Sequence, residues 1–123
     1  MNPTRMQIPN ADQLVKQFAA LAIRQDTMLL ERDIAEVNRL YDRLQDVANE
    51  LKARPGDQRT ALLVLYEHSN MQVRLKAAKA TLAVAPTAAR EQLEAIKASK
   101  WQPYAGEAGM SLRNLDSGVF RPM

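Results

Sequence analysis

The stretch from His68 to Pro86, HSNMQVRLKAAKATLAVAP, most constrains the fold of this chain. Asn70 is a favourable helix N-cap, because its side-chain oxygen can accept a backbone N–H of the first turn. Pro86 cannot continue a helical hydrogen-bond ladder. The sequence therefore predicts one helix between a turn at residues 68–70 and a stop at Pro86.

The apolar residues of this helix fall on two stripes at helical spacing. One stripe contains Val73, Ala77, Ala80 and Val84, and the other contains Leu75, Ala78, Leu82 and Ala85. Only Lys76, Lys79 and Ala83 are predicted to face away. Because alanine allows close approach, we expect neighbouring helices to pack on two sides, as they do around the inner helix of a stacked helical repeat.

The length of 123 residues is that of one domain with one core. The net charge of +3 is mildly basic and leaves the class of partner open. The absence of cysteine excludes disulfide frameworks, cysteine zinc sites and thiol nucleophiles. The longest apolar run, Phe18 to Ile23, is too short to cross a bilayer, and Met1 to Asn10 lacks an apolar leader. We therefore expect a soluble, cytoplasmic protein that does not bind membranes.

Apolar spacing predicts an all-α domain, since β-branched residues never alternate with polar ones over the length of a strand. Residues 1–9 are predicted to form a flexible arm and 10–123 a single domain. Helices are expected at about 10–25, 28–53, 57–68, 70–85, 86–100 and 107–116. The first two would form a long N-terminal hairpin, and whether they are separate or continuous near Asp26 stays open. The core face of the second would carry Ile34, Val37, Tyr41, Leu44, Ala48 and Leu51.

The segment from Asp57 to Leu82 resembles a HEAT or armadillo repeat. In those repeats a Val-Arg pair opens the second helix and is followed by paired alanines and a leucine. The matching residues here are Val73, Arg74, Ala77, Ala78 and Leu82. The resemblance implies an α-α superhelix in which Arg74 is structural.

The segments LVKQFAALAI, RPGDQRTALL and AGMSLRNLDSG make almost the whole chain resemble a small bacterial family catalogued as a domain of unknown function, number 2019. This resemblance covers nearly everything after the N-terminal arm. It implies a compact α-α superhelix and brings no established activity with it.

No constellation of residues predicts catalysis, a metal or a cofactor. His68 is the only histidine, and a capping or surface role explains it. The carboxylate pairs Asp42 with Asp46 and Glu91 with Glu94 have basic neighbours, which is typical of a solvated helix face. None of the four glycines belongs to a phosphate-binding loop that opens a helix. We therefore expect a protein that is not an enzyme.

Three residues of the central helix are assigned structural roles, namely Arg74, Ala77 and Ala78. Arg74 lies between the two apolar stripes, so its guanidinium must reach solvent or an acceptor at a helix interface. Candidate acceptors are Asp57, Glu67 and Asp116. The alternative is an arginine presented to a ligand.

Two groups of residues are candidates for binding a partner. The basic candidates are Lys76, Lys79, Arg90 and Lys97. The second group combines aromatic residues with arginine, a composition found at interface hot spots, and contains Trp101, Tyr104, Phe120 and Arg121. The competing interpretations are solvated charge for the first group and a cap that closes the helical array for the second.

The sequence thus predicts a non-enzymatic helical-repeat module that binds another protein of unknown identity. A specific form of this hypothesis is an antidote protein that masks a bacterial toxin. Nucleic-acid binding through the lysine-bearing face is the alternative class. The long helix from Met28 could also pair with a second copy in a homodimer.

Overall fold

The structure, a computed structural model, describes residues 8–123 as five α-helices and one 3₁₀ helix. In chain order these are α1 (Ala11–Leu30), α2 (Ile34–Ala53), the 3₁₀ helix (Gln58–Glu67), α3 (Met71–Ala80), α4 (Pro86–Ser99) and α5 (Tyr104–Ser117). No β-strand occurs within residues 8–123, and the predicted all-α class is confirmed. Most of the predicted N-terminal arm, residues 1–7, lies outside the described residues.

The first two helices separate at Arg32, not near Asp26. Helix α1 continues to Leu30, so the prediction of a second helix beginning at Met28 is wrong. Arg32 adopts a left-handed conformation with φ of 60°, which ends helical hydrogen bonding. Asp33 then caps α2, because its carboxylate accepts the backbone N–H of Glu36 at 3.1 Å.

Helix α3 begins as predicted but ends earlier. Asn70 caps it by accepting the backbone N–H of Val73 at 3.1 Å. The predicted helix continued to Pro86, whereas α3 ends at Ala80 and residues 81–84 form turns. The hydroxyl of Thr81 lies 2.8 Å from the carbonyl oxygen of Ala77, a side-chain bond that competes with regular helix.

The remaining boundaries agree with the predicted signals in most places. Pro86 opens α4, and Gly118, with φ of 78°, ends α5. The helix predicted at 57–68 is capped by Asp57, but it is a 3₁₀ helix of ten residues, which is long for this type. Helix α5 begins at Tyr104, three residues before the predicted start at Glu107.

Helix α3 lies between two hydrophobic cores, as its two apolar stripes predict. Val73 and Ala77 belong to a core formed with α1, α2 and the 3₁₀ helix. Leu75, Ala78 and Leu82 belong to a second core formed with α4 and α5. Ala77 and Ala78 are completely buried. The molecule is therefore built outward from α3 in both directions.

Buried polar side chains also connect the helices. The Gln72 amide donates to the side-chain oxygen of Gln25 at 2.8 Å, and the Gln25 amide donates to the carbonyl oxygen of Val37 at 3.2 Å. Within residues 8–123, every buried side-chain nitrogen and oxygen has a hydrogen-bond partner. No helix in this part of the chain combines the length and the apolar character needed to span a membrane.

The packing corrects the predicted positions of the Ile34 and Lys76 side chains. Ile34 was expected in the core but is 59% exposed, because α2 begins there, at the tip of the hairpin and beyond the end of α1. Lys76 was expected to face solvent, yet only 11% of its side chain is accessible. Its ammonium group is covered because α5 packs beside α3.

Candidate binding groove

A groove of about 360 Å³ is lined mainly by α2, α3, α5 and the C-terminal segment, residues 119–123, with further residues from α1, the 3₁₀ helix and the turn after α3. We call it the basic groove. Its apolar surface comes from Phe18, Leu44, Ala48, Ala80, Leu82, Ala83, Pro122 and Met123. Its polar and aromatic surface comes from Tyr41, Gln45, Asn49, Arg59, Lys76, Lys79, Ser111, Asn114, Phe120 and Arg121. The volume lies within the range of ligand pockets in proteins, about 300–1,000 Å³.

Four cationic side chains converge on the basic groove. Arg59 comes from the 3₁₀ helix, Lys76 and Lys79 come from α3, and Arg121 comes from the C-terminal segment. None of the described residues that line the groove carries a carboxylate side chain. The groove therefore favours anionic groups.

The two lysines share one carboxylate, that of Glu107 at the start of α5. The Nζ atoms of Lys76 and Lys79 lie 3.1 Å and 2.9 Å from the same oxygen, Glu107 Oε2. Burial lowers the pKa of Lys76, and the Glu107 carboxylate offsets this only in part. Burial opposes ionisation of Glu107, but the two ammonium groups outweigh it and lower the pKa of that carboxyl. Together the three groups carry one excess positive charge.

Arg59 is held by Asp57 at the other side of the groove. Its Nε and Nη2 atoms donate to the two carboxylate oxygens of Asp57 at 2.9 Å and 2.6 Å. The hydrogen bond from Arg59 lowers the pKa of the Asp57 carboxyl. Arg59 Nη2 also donates to the main-chain oxygen of Met123 at 3.3 Å. The same guanidinium thus joins the 3₁₀ helix to the C-terminal segment.

The C-terminal segment folds back after Gly118 and forms one wall of the groove. The backbone N–H of Phe120 donates to the carbonyl oxygen of Asn114 at 3.1 Å. This hydrogen bond returns the segment toward α5. Val119 and Phe120 nevertheless stay exposed, so the return does not bury their apolar side chains.

Aromatic surface stays accessible inside the basic groove. Tyr41 is 46% exposed, and Phe120 is 47% exposed. The Lys76 ammonium lies 5.6 Å from the centre of the Tyr41 ring, a cation–π geometry. The groove therefore presents aromatic faces next to positive charge.

The predicted partner-binding residues divide into two sets in the structure. Lys76, Lys79, Phe120 and Arg121 line the basic groove. Arg90, Lys97, Trp101 and Tyr104 lie outside its lining. Arg90 pairs with Asp116 at 2.7 Å, and the methylene groups of Lys97 pack beside Gly109. The eight residues thus do not form one surface.

Tyr104 is buried, so it is not the exposed partner residue that the sequence predicts. Its ring lies edge-on to the exposed ring of Trp101, with 5.9 Å between the centroids. Its hydroxyl donates to the Asp26 carboxylate. Burial together with the hydrogen bond to Asp26 raises the pKa of Tyr104 to about 12. Tyr104 therefore ties α5 to α1.

Arg74 and His68 have structural contacts within residues 8–123. The Arg74 Nε atom donates to the backbone carbonyl oxygen of His68. The predicted carboxylate partners of Arg74, namely Asp57, Glu67 and Asp116, are wrong, because none of them forms an ion pair with Arg74 within residues 8–123. His68 Nδ1 accepts the backbone N–H of Asn70 at 3.0 Å. In the same part of the chain, no group of three or more acidic or histidine side chains is placed to hold a metal ion.

Several residues of the groove were not predicted as site residues. Tyr41 was assigned to the core, and its position on the apolar stripe of α2 gave no signal of a groove. Arg59 carried no signal, because its role depends on how the 3₁₀ helix meets the C-terminal segment. The amides were also missed, namely Gln45, Asn49 and Asn114.

One family model and one crystal structure match most or all of the chain. A family model described as "Domain of unknown function (DUF2019)" matches residues 12–116. The crystal structure of the protein RPA1889 from Rhodopseudomonas palustris CGA009 is 54% identical in sequence, with a TM-score of 0.90. That match covers 100% of this chain and 99% of the other. A search of curated proteins gives no match.

Proposed function

Because the chain belongs to the family described as a domain of unknown function (DUF2019), we propose its function from the geometry of the basic groove. The protein is a non-enzymatic helical-repeat module that binds another protein. The basic groove is the binding surface. One observation carries this proposal: four cations, two accessible aromatic rings and three amide side chains converge on one groove. Among residues 8–123, no side chain that lines this groove is a carboxylate.

The helix order supports the helical-repeat part of the proposal. Consecutive elements pack as pairs, α1 with α2, the 3₁₀ helix with α3, and α4 with α5. Helix α3, with the Val-Arg and Ala-Ala pairs, also contacts α1 and α4. We assign this arrangement to a short superhelix of the HEAT or armadillo type, whose common use is to present a rigid surface to a partner.

The chemistry of the lining supports binding more than catalysis. The polar groups of the groove are ammonium and guanidinium groups, amides and hydroxyls. These groups recognise a partner by charge and hydrogen bonding. His68 uses Nδ1 to accept a backbone N–H and is not among the lining residues.

Nucleic-acid binding has weaker support. Three of the four groove cations, Arg59, Lys76 and Lys79, already pair with carboxylates of the same chain. Binding to a phosphate backbone draws its affinity from many cations that are free to replace counterions. A groove with this internal pairing is better suited to a short anionic segment.

The proposal is tested by capturing partners from the native cell with the wild-type protein and with two single variants. Arg121→Glu reverses a charge in the groove, whereas Arg43→Glu reverses an exposed charge on α2 outside it. We expect at least one specific protein to be lost with Arg121→Glu and retained with Arg43→Glu. An identical set of captured proteins for all three forms would contradict the assignment of the groove.

A further inference from the structure

We propose that the basic groove binds an acidic, extended peptide segment of the partner that carries an apolar side chain next to its carboxylates. This inference rests on the proposed function and specifies the chemistry that the groove recognises. The charge, the apolar surface and the unpaired amides of the groove each support this ligand.

The cationic side chains of the groove outnumber the carboxylate side chains that pair with them within residues 8–123. Lys76 and Lys79 share the single carboxylate of Glu107, and no carboxylate of residues 8–123 pairs with Arg121. Arg59 is neutralised by Asp57. Among the side chains of residues 8–123, the groove thus has about two uncompensated positive charges, one shared by the lysines of α3 and one on Arg121. Two carboxylates from a partner would match them.

The apolar surface of the groove selects against a purely ionic ligand. Tyr41 on α2 and Phe120 on the C-terminal segment both leave about half of their surface accessible. Leu44 and Ala48 lie beside Tyr41 on the same groove wall. An apolar side chain between the two rings would gain the aromatic contact area that hot spots use.

The amides of the groove match a peptide backbone. Gln45 and Asn49 are four residues apart on α2, so they share one helix face, and Asn114 projects from α5. None of the three side chains hydrogen-bonds another residue of the described chain. Each amide can both donate and accept, as the N–H and C=O groups of an extended peptide require. A single-stranded nucleic acid would present phosphates to these amides and would leave their donors and acceptors only partly matched.

The experiment is selection of binding peptides from a displayed library of random linear sequences, with the whole protein as target. We expect enriched peptides to contain two or more carboxylates near an aromatic or large aliphatic residue. The binding of a synthetic copy, measured by fluorescence anisotropy, should weaken about tenfold in Arg121→Glu and in Lys79→Glu. Arg43→Glu should leave it unchanged. Arg121 lies in the C-terminal segment outside both cores, so this variant stays informative if Lys79→Glu unfolds.

The outcomes separate this inference from the proposed function. Enriched neutral or basic peptides that still depend on the groove would overturn the inference and leave the groove as an interaction surface. Peptides that bind equally to all variants would overturn both. Displacement of the bound peptide by a generic single-stranded oligonucleotide at moderate salt would also overturn both, because it would identify a nucleic-acid site.

Discussion

At the scale of single residues, the most informative group is Glu107 with the two lysines of α3. A carboxylate that serves two ammonium groups holds both of them in place, although one of the lysines is buried. The buried ammonium would be costly without this partner. The polar side of the groove therefore depends on one side chain that is not itself part of the lining.

The substitution Glu107→Gln should lower the free energy of unfolding by about 1–2 kcal/mol, because the two neighbouring ammonium groups would lose their counter-charge. The effect is smaller than for a fully buried pair, since 36% of the Glu107 side chain is exposed. Lys76→Met should leave stability unchanged or raise it, because Glu107 would keep Lys79. Urea denaturation of both variants and of the double variant tests this. Equal losses in Glu107→Gln and Lys76→Met would contradict it.

Tyr104 should make stability depend on pH in the alkaline range. Its pKa is raised to about 12 in the folded protein, whereas an unfolded tyrosine titrates near 10. The folded state therefore favours the protonated form, and this contribution is present below pH 10 and is lost as the pH rises toward 12. Tyr104→Phe should show a shallower loss of stability over this range. Thermal melts of both proteins at a series of pH values test the expectation, and parallel curves would contradict it.

At the scale of elements, helix termini explain which boundaries the sequence predicts. Asn70, Pro86 and Gly118 act through their own side chain, ring or lack of Cβ, so their effect is local and visible in the sequence. The ends at Arg32 and Ala80 are different. Arg32 gives no local sign of a left-handed conformation, and Thr81 ends α3 through a hydroxyl contact that also meets Tyr66, at 2.5 Å. Such boundaries depend on tertiary contacts.

Gly109 within α5 and Gly118 directly after it should respond oppositely to substitution by alanine. A Cβ on Gly109 would meet the Lys97 side chain at 3.7 Å, an ordinary van der Waals contact, so Gly109→Ala should stabilise by about 0.5–1 kcal/mol. Gly118 has φ of 78°, where alanine is strained, so Gly118→Ala should destabilise by about 1 kcal/mol. Chemical denaturation of the two variants gives both values. A loss of stability in Gly109→Ala would mean that α4 and α5 pack more tightly than the structure shows.

The candidate site was predictable only in part, because it too depends on contacts between residues that are distant in sequence. The sequence identifies the groove lysines and the Phe120–Arg121 pair because their composition is unusual for their position. It does not identify Tyr41, which looks like one more residue of an apolar stripe, or Arg59, which meets a segment 64 positions away. Trp101 and Tyr104 were predicted as partner-binding residues but do not line the groove. Trp101 is exposed away from the groove, and Tyr104 packs against α1. The sequence thus shows which residue types could bind a partner, but it does not show which of them lie on the same surface.

At the scale of the whole molecule, the two cores meet at α3, which carries both stripes, and at Tyr66 of the 3₁₀ helix, which packs against both cores. Ala77 contributes to one core and Ala78 to the other, although the two are adjacent in sequence. Each is completely buried, so neither position has room for a larger side chain. Mutations at the two positions therefore test the two cores separately.

Ala77→Leu and Ala78→Leu should each lower the free energy of unfolding by about 1–3 kcal/mol, because they overpack opposite sides of α3. Ala95→Leu, at an exposed position of α4, is the matched control and should change stability little. If the cores unfold together, circular dichroism and tryptophan fluorescence should report the same transition for every variant. Two separate transitions in Ala78→Leu would show that the α4–α5 pair melts alone.

The position of α3 between the two cores limits how the chain could be truncated or extended. The residues before α3 cannot form a complete hydrophobic core without it, and neither can the residues after it. Each of the two cores includes a different apolar stripe of α3. Removing α4 and α5 would uncover Leu75 and Ala78, and removing α1 and α2 would uncover Val73 and Ala77. Lengthening by further helical pairs at either end is compatible with this arrangement, whereas division into two autonomous halves is not.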